Sequence, residues 1–178
     1  MQLQAYTFAD TTEIKDLVTR TFSDSEGVDE GKLIGNLAFE LLTETPEKDV
    51  FCFIAKENNA IIGCIIFSRL IFVRDIQVFI LAPVAIATEF QRQGIGQKLI
   101  RFGLQTLKLN GIELALTYGD PNYYCKVGFQ PISEQHIPAP LKLTYPHGWL
   151  AQSLTNNPIP KINEKPKCVR ALAKPEYW

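Results

Sequence analysis

Residues 85–98 of the chain read AIATEFQRQGIGQK, and they decide how the whole sequence is interpreted. They close an almost wholly apolar run, residues 76–87, of the kind expected for a strand buried on both faces. They also open the clearest amphipathic pattern in the chain, which predicts a helix over residues 95–110. Gly94 and Gly96 therefore lie where a buried strand gives way to a helix.

A glycine pair in this position indicates a loop that binds an anion. Glycine lets the backbone turn tightly and lets a ligand approach the main chain without meeting a Cβ atom. The first N–H groups of a helix have no partner within the helix, and its dipole adds positive potential, so a pyrophosphate is well accommodated there. A glycine-rich turn that binds no ligand explains the two glycines equally well. Other motifs are therefore needed to distinguish an anion-binding loop from such a turn.

Two well-known phosphate motifs do not match. The Walker loop, G-x-x-x-x-G-K-[ST], is absent, and the dinucleotide fingerprint G-x-G-x-x-G needs a third glycine where Leu99 stands. That fingerprint also begins directly at the end of a strand, whereas residues 88–93 intervene here. Its acidic residue should close the next strand, but Glu113 lies at the beginning of that strand. Both kinds of site are excluded.

A third pattern, [Gln/Arg]-x-x-Gly-x-[Gly/Ala], is present as Gln91, Gly94 and Gly96. It is preceded by residues 81–87, LAPVAIA, and followed by residues 122–129, NYYCKVGF. In this order and separation the three motifs resemble the GNAT superfamily of acetyl-CoA-dependent N-acetyltransferases. The first segment is similar to the bulged fourth strand of that family, and the last is similar to its short-helix motif.

The resemblance implies a fold and a domain organisation. We expect an α/β (α+β) GNAT fold, with a twisted, mostly antiparallel mixed sheet, a splayed and bulged central strand, and helices on both faces. We also expect one domain over residues 1–178, with core motifs over 78–129 and C-terminal strands and a tail over 130–178. The length of 178 residues fits one domain of ordinary size. Pro83 cannot donate to a strand ladder, so a bulge or a loss of pairing is expected there.

Patterns outside these motifs agree with a mixed fold. Residues 10–13, DTTE, have the form of a capping box and precede a predicted first helix. A second helix is predicted over residues 30–44. Strands over residues 50–56 and 61–72 flank residues 57–59, which predict a hairpin turn. Helices, then a hairpin, then strand–helix–strand is typical of an α/β or α+β domain.

Composition excludes several classes of protein. Hydrophobic residues make up 46% and charged residues 21% of the chain, as expected for a folded globular protein. Eighteen basic against 19 acidic residues give a net charge of -1, which favours neither a nucleic acid nor an anionic membrane as partner. The apolar runs are far shorter than the ~20 residues of a spanning helix. With no secretory signal visible at the N-terminus, we expect a cytoplasmic protein.

The cysteines and histidines predict no metal site and no disulfide. A zinc site would need clustered ligands, and the chain has no C-x-x-C spacing. These residues are spread along the chain: Cys52, Cys64, Cys125, His136, His147 and Cys168.

The resemblance implies acetyl-CoA as co-substrate and identifies the residues that would bind it. Main-chain groups of Ile86, Ala87 and Thr88 would pair with the pantetheine arm in the manner of a strand. The loop and the first helical turn would hold the pyrophosphate, mainly through main-chain N–H groups. The residues concerned are Gln91, Arg92, Gln93, Gly94, Ile95, Gly96, Gln97 and Lys98.

The resemblance also implies a catalytic residue. Tyr124 stands four residues before Gly128, at the position of the general acid in the family. Attack of an amine on a thioester expels a thiolate, and a positioned phenol can protonate that leaving group or donate a hydrogen bond to it. A tyrosine between Tyr123 and Phe129 is also what core packing would select, so both interpretations stay open.

The sequence does not identify the base that accepts the proton of the amine. Asp120 precedes Pro121 and also fits a helix N-cap. Glu89 fits a solvated surface position, and His136 and His147 lie in segments without a predicted role. The GNAT family varies in its base, so the resemblance assigns none.

The activity implied is transfer of an acetyl group from acetyl-CoA to a primary amine by direct attack, with the acceptor unidentified. Two alternatives remain: a non-catalytic acyl-CoA-binding regulatory module, and a transferase of a longer acyl group. The presence of Tyr124 favours an enzyme. No nucleic acid or membrane is expected as partner, and a homodimer is left open.

Overall fold

The chain begins with a short strand and two helices. The computed structural model describes residues 1–178. Strand β1 covers Gln2–Ala5, helix α1 covers Thr11–Glu26, and helix α2 covers Val28–Glu44. Gly27 joins the helices with a φ of 100°, a conformation that glycine adopts without strain. The sequence predicted both helices but gave no signal for β1, which pairs with the next strand of the chain.

The predicted capping box at the start of α1 is wrong. The Asp10 carboxylate accepts hydrogen bonds from the Thr7 N–H at 2.7 Å and from Lys56 Nζ at 2.7 Å. The Glu13 carboxylate accepts from the Ile61 N–H at 2.7 Å. Both carboxylates therefore bind groups outside α1, because an ammonium group and an unpaired strand N–H are available to them.

A hairpin follows the helices, as predicted. Strand β2 covers Val50–Glu57 and strand β3 covers Ala60–Ile71. Asn58 and Asn59 connect them with φ values of 48° and 68°. Two consecutive residues with positive φ are what a two-residue type I′ hairpin turn requires, and asparagine tolerates this conformation better than most residues.

The remaining elements form a strand–helix–strand unit and a strand-poor tail. They are strand β4 (Val78–Ile86), helix α3 (Ile95–Leu109), strand β5 (Leu114–Tyr118), helix α4 (Pro121–Tyr124), and strands β6 (Gln130–Pro131), β7 (Trp149–Ser153) and β8 (Lys167–Cys168). No helix is both long and apolar enough to cross a membrane.

The strands form one eight-stranded mixed sheet. Its order is β1-β2-β3-β4-β5-β7-β6, and β8 pairs with β3. Strands β4 and β5 are parallel, whereas the pairs β1–β2, β3–β8, β5–β7 and β6–β7 are antiparallel. The predicted mixed α/β fold with a mostly antiparallel sheet is confirmed. The register of β4 on β5 ends at Leu81 opposite Thr117, which agrees with the loss of pairing expected near Pro83.

The chain divides into two compact units. The first comprises Met1–Phe67 and Ala82–Gly103, and the second comprises Ser68–Leu81 and Leu104–Trp178. In the first unit, Gly103 lets α3 approach the strands closely. A Cβ atom there would lie 2.8 Å from the Phe67 ring and 3.0 Å from the Phe53 ring.

The second unit has an aromatic core to which the C-terminal tail contributes. Trp149 is fully buried, and its indole N–H donates to the Ile137 carbonyl at 2.8 Å. Trp178 is also buried and donates to the Leu172 carbonyl at 2.9 Å. The segment after residue 130, for which the sequence predicted little structure, therefore completes the core of this unit.

Candidate cofactor loop and tyrosine site

The end of β4 lies in the first unit and offers one free edge of main chain. The Ala87 N–H donates to the Ile62 carbonyl at 2.9 Å, so Ala87 faces β3. Peptide groups alternate between the two edges of a strand, so those of Ile86 face away from β3. The Ile86 carbonyl accepts a hydrogen bond from Gln91 Nε2 at 2.9 Å. The Ile86 N–H therefore points away from β3 and is the main-chain donor on the opposite edge of β4.

Polar side chains fold the loop after β4 into a fixed shape. Residues Thr88–Phe90 form a 3₁₀ turn, which Gln91 closes through its bond to Ile86. The Thr88 hydroxyl donates to Asp24 at 2.6 Å. Gln93 Nε2 donates to the Glu89 carbonyl at 3.2 Å. These side chains form hydrogen bonds within the protein, so a ligand at this loop would bind mainly to main-chain groups.

The glycine motif turns the loop into helix α3. Arg92 and Gly94 adopt positive φ values of 61° and 78°. The Lys98 N–H makes a helical hydrogen bond to the Gly94 carbonyl at 3.1 Å. The N–H groups of Ile95, Gly96 and Gln97 precede that bond and so have no acceptor within the helix.

The charge of this segment suits a diphosphate. Residues 90–98 contain Arg92 and Lys98 and no acidic residue. Both cationic side chains are exposed, whereas Gly96 is buried. A ligand at the start of α3 would thus meet main-chain donors and the positive end of the helix dipole. The start of α3 thus offers the main-chain donors and the positive charge that an anionic ligand requires.

Tyr124 lies in the second unit, on a short helix that Asp120 caps. Asp120 Oδ1 accepts from the Asn122 N–H at 2.9 Å, and Pro121 occupies the first turn. The Tyr124 N–H donates to the Asp120 carbonyl at 3.1 Å. Gly128 ends the following turn with a φ of 101°. Asp120 is therefore a helix cap, as one of the two interpretations of its sequence context predicted.

The ring of Tyr124 is tightly packed. A Cβ atom on Gly119 would lie 2.6 Å from its Cε2 atom, so the ring lies directly over the glycine. The Phe129 ring lies at 5.9 Å and the Tyr123 ring at 5.2 Å, both edge-on. The ring thus has the packing role that the sequence allowed, and any chemical role belongs to its hydroxyl.

The surroundings of Tyr124 keep its hydroxyl protonated. Burial raises the pKa of Tyr124 to about 12, and a hydrogen bond with Thr117 works in the opposite direction. The Thr117 hydroxyl is itself buried and donates to the Leu81 carbonyl at 3.0 Å. Because its pKa is far above 7, Tyr124 is a proton donor throughout the neutral range.

Comparison with known proteins identifies the family of this chain. Residues 48–131 match the family described as Acetyltransferase (GNAT) domain. The uncharacterised N-acetyltransferase YjhQ of Escherichia coli K12 is 31% identical over 157 residues, which cover 85% of this chain and 83% of that protein. The chain belongs to the GNAT acetyltransferase family. The resemblance stated from the sequence motifs is confirmed.

Solved structures show that the GNAT fold extends over nearly the whole chain. The GNAT family N-acetyltransferase YhbS of Escherichia coli, in complex with CoA, aligns with a TM-score of 0.84 at 19% identity, covering 97% of this chain and 92% of that one. A GNAT family acetyltransferase of Brucella melitensis, in complex with acetyl-CoA, aligns with a TM-score of 0.70 at 22% identity, covering 96% and 97%.

The remaining candidate bases of this GNAT chain lie in separate segments of the sequence. Glu89 is exposed in the first unit. In the second unit, His136 Nε2 is 3.2 Å from the Ile159 carbonyl, whereas His147 is exposed beside the Tyr145 ring at 5.7 Å. No group of three or more His, Cys, Asp or Glu residues could hold a metal ion.

The sequence did not single out three residues beside Tyr124. Thr117 opposes the rise in the pKa of Tyr124, and Gly119 lies under its ring. Gly148 packs on Gly119, with the Gly119 N–H donating to the Gly148 carbonyl at 2.9 Å. A glycine directly after a predicted strand and directly before a helix cap was the available signal, because such a position permits close approach of another group.

Proposed function

We propose that this GNAT protein transfers an acetyl group from acetyl-CoA to a primary amine, by direct attack of the amine on the thioester. Membership of the N-acetyltransferase family and neighbours solved with CoA and acetyl-CoA support the cofactor. The observation that carries catalysis is the fixed position of Tyr124, whose ring lies against Gly119 and contacts the rings of Tyr123 and Phe129.

The chain would bind acetyl-CoA mainly through its main chain. The N–H groups at the start of α3, around Gly96, would hold the pyrophosphate, and Arg92 and Lys98 would add positive charge nearby. The free edge at Ile86 and the following Thr88 would pair with the pantetheine arm. The Ala87 N–H is engaged with Ile62, so the Ile86 N–H is the better donor toward the acetyl carbonyl.

Tyr124 would act on the sulfur that leaves. Acetyl-CoA supplies a thioester whose carbon–sulfur bond breaks as the amine attacks. Tyr124 would donate its proton to that sulfur and recover a proton from water afterwards. General acid catalysis typically contributes about 10²–10⁴-fold. A thiolate leaves readily and a phenol of high pKa is a weak acid, so we expect the low end, about 10–10²-fold.

The test combines thiol release with direct binding. Release of CoA thiol from acetyl-CoA is measured over a panel of primary amines, and acetyl-CoA affinity is measured by calorimetry. Tyr124→Phe keeps the ring and removes the proton donor, so kcat should fall about 10–10²-fold while the Kd for acetyl-CoA stays the same. Tyr6→Phe removes the hydroxyl of a half-buried tyrosine of the first unit and should change neither value.

Three results would contradict the proposal, each in a different way. Binding of acetyl-CoA without thiol release for any amine would support a non-catalytic binding module. Faster release from longer acyl-CoA thioesters than from acetyl-CoA would support a transferase of longer acyl groups. Wild-type kcat in a folded Tyr124→Phe variant would remove Tyr124 from the chemistry.

A further inference from the structure

Helix α1 contacts the end of strand β4 and the turn that follows it through two side chains. The Thr88 hydroxyl donates to Asp24 Oδ2 at 2.6 Å, and the Thr21 hydroxyl donates to the Ile86 carbonyl at 3.5 Å. Residues three positions apart lie on the same face of a helix, so Thr21 and Asp24 face this segment together. All four residues belong to the first unit.

The Ile86 contact lies on the edge of β4 that faces away from β3. The Ala87 N–H is bonded to the Ile62 carbonyl on β3, so the Ile86 carbonyl points to the opposite edge. The pairing of β4 with β5 ends at Leu81, so no strand supports Ile86 and Thr88 on that edge. Helix α1 therefore supplies contacts that a neighbouring strand would otherwise make.

The end of α1 is itself held by helix α2. Two glycines of α2 bring the helices into close contact. A Cβ atom on Gly31 would lie 1.9 Å from Ser23 Oγ, and one on Gly35 would lie 1.9 Å from Thr19 Oγ1. Close packing of this kind leaves little room for a helix to shift. Asp24 follows Ser23 directly, so its backbone is held by the same packing.

We propose that Asp24 is a positioning residue for the cofactor. Its carboxylate, acting through the Thr88 hydroxyl, holds the end of β4 in the conformation that pairs with the pantetheine arm of CoA. The inference rests on the proposed function, which assigns main-chain groups of Ile86 and Thr88 to that arm. Asp24 acts through Thr88 and not on the reacting atoms.

The length of the bond between Thr88 and Asp24 indicates a charge-assisted hydrogen bond. Its 2.6 Å falls within the range of about 2.5–2.7 Å for a hydroxyl that donates to a carboxylate, and such bonds are roughly twice as strong as neutral ones. Both side chains are exposed, so water competes for the carboxylate and lowers the net gain. We therefore expect the bond to favour the ordered end of β4 by about 5-fold.

A bond of this kind affects binding by preorganisation. The apparent affinity for a ligand falls with the fraction of protein in the binding-competent conformation, so losing the bond should raise the Kd for CoA by about 5-fold at most. Charge acts in the opposite direction. CoA is an anion, so removing the negative charge of Asp24 should by itself lower the Kd. The sign of the change therefore distinguishes positioning from electrostatics.

The experiment measures CoA binding by calorimetry and needs no acceptor. Asp24→Ala removes the charge and the bond, so the Kd should rise about 5-fold. Asp24→Asn removes the same charge but keeps an oxygen that can accept from Thr88, so the Kd should rise less, about 2-fold. Asp16→Ala is the matched control, because Asp16 is an exposed aspartate about two turns earlier on α1. It should leave the Kd unchanged or slightly lower.

Two further measurements distinguish positioning from a general structural role. Hydrogen exchange at the Ala87 N–H reports local opening at the end of β4, because this group is bonded to the Ile62 carbonyl. Exchange there should be about 5-fold faster in Asp24→Ala and unchanged in Asp16→Ala. Thr88→Val removes the donor of the same bond, so adding Asp24→Ala to Thr88→Val should not raise the Kd further.

Several results would overturn the inference. A Kd in Asp24→Ala at or below that of wild type, additive increases in the double variant, or unchanged exchange at Ala87 would each refute the role of Asp24 and leave the proposed function intact. Failure of the wild-type protein to bind CoA would instead contradict the proposed function, and this inference with it. Circular dichroism checks folding. If Asp24→Ala does not fold, Asp24→Asn and Thr88→Val provide the same test, since each should raise the Kd.

Discussion

Gly119→Ala tests whether the position of the Tyr124 ring matters for catalysis. The new methyl group would lie 2.6 Å from Cε2 and 3.4 Å from Cδ2 of that ring. Carbon atoms in ordinary contact are about 3.5–4.0 Å apart, so the ring must move by about 1 Å. Phe129 and Tyr123 contact the ring edge-on and limit where it can go.

The displacement has two calculable consequences. Overpacking of this kind typically costs about 1–3 kcal/mol in the free energy of unfolding. A misplacement of about 1 Å at a reacting group can reduce the rate about 10²-fold. The loss in kcat cannot exceed what Tyr124 contributes, so it should equal the loss caused by Tyr124→Phe. Adding Gly119→Ala to Tyr124→Phe should therefore leave kcat unchanged.

The assay is steady-state kinetics on folded protein, with denaturant unfolding alongside. Gly111→Ala is a matched control, because Gly111 has a φ of 76° and a Cβ atom there would meet no atom within 4 Å. It should cost about 1–2 kcal/mol through backbone strain and leave kcat unchanged. A folded Gly119→Ala variant with wild-type kcat would refute the reasoning, as would an extra loss on top of Tyr124→Phe.

Three further predictions concern other parts of the molecule. Gly96→Asp should raise the Kd for acetyl-CoA on the order of 10²-fold, because a carboxylate would oppose the pyrophosphate; unchanged affinity by calorimetry would contradict the loop assignment. Burial acts to raise the pKa of Asp10, but hydrogen bonds from Lys56 and Thr7 outweigh it and lower the pKa. These hydrogen bonds therefore stabilise the fold at pH values above the ordinary pKa of an aspartate, and their stabilisation is lost as the pH falls through the lowered pKa. Lys56→Met should therefore cost about 1.5–3 kcal/mol near pH 7, and the difference from wild type should shrink below about pH 4 in denaturant titrations. If residues 1–178 unfold as the single domain predicted from the sequence, tryptophan fluorescence, which reports only on the second unit, and far-UV circular dichroism should give the same midpoint; separate midpoints would contradict one cooperative domain.

The turn from β4 into α3 could be predicted from sequence because its requirements are local. Gly94 needs a positive φ, Gln91 bonds back to a carbonyl five residues earlier, and α3 begins at once. All three requirements fall on neighbouring residues, so they leave a readable pattern. The same holds for the hairpin turn at Asn58 and Asn59, whose backbone conformation selects the residue type.

Other features depend on partners distant in sequence and could not be predicted. Strand β1 is held by main-chain pairing with β2, which constrains four residues very little. Asp10 and Glu13 looked like helix caps, but Lys56 and Ile61 bind them across more than 40 positions. The tail lacks periodicity because single tertiary contacts, such as the bond from Trp149 to the Ile137 carbonyl, hold it in place.

The Tyr124 site depends on neighbouring residues and on residues distant in sequence. Only the first kind could be predicted from the sequence. Asp120 caps α4, and Tyr124 follows four residues later, so its N–H returns to the Asp120 carbonyl. Helical side chains lean toward the N-terminus of their helix, and the ring therefore lies back over Gly119. That part is local, and the motif shows it. Thr117, which opposes the rise in the pKa of Tyr124, lies on the preceding strand β5 and outside the motif. Burial keeps the phenol of Tyr124 protonated at neutral pH, but the same burial raises its pKa and makes it a weaker acid. The residue that opposes this rise, Thr117, belongs to β5, so the motif does not show it.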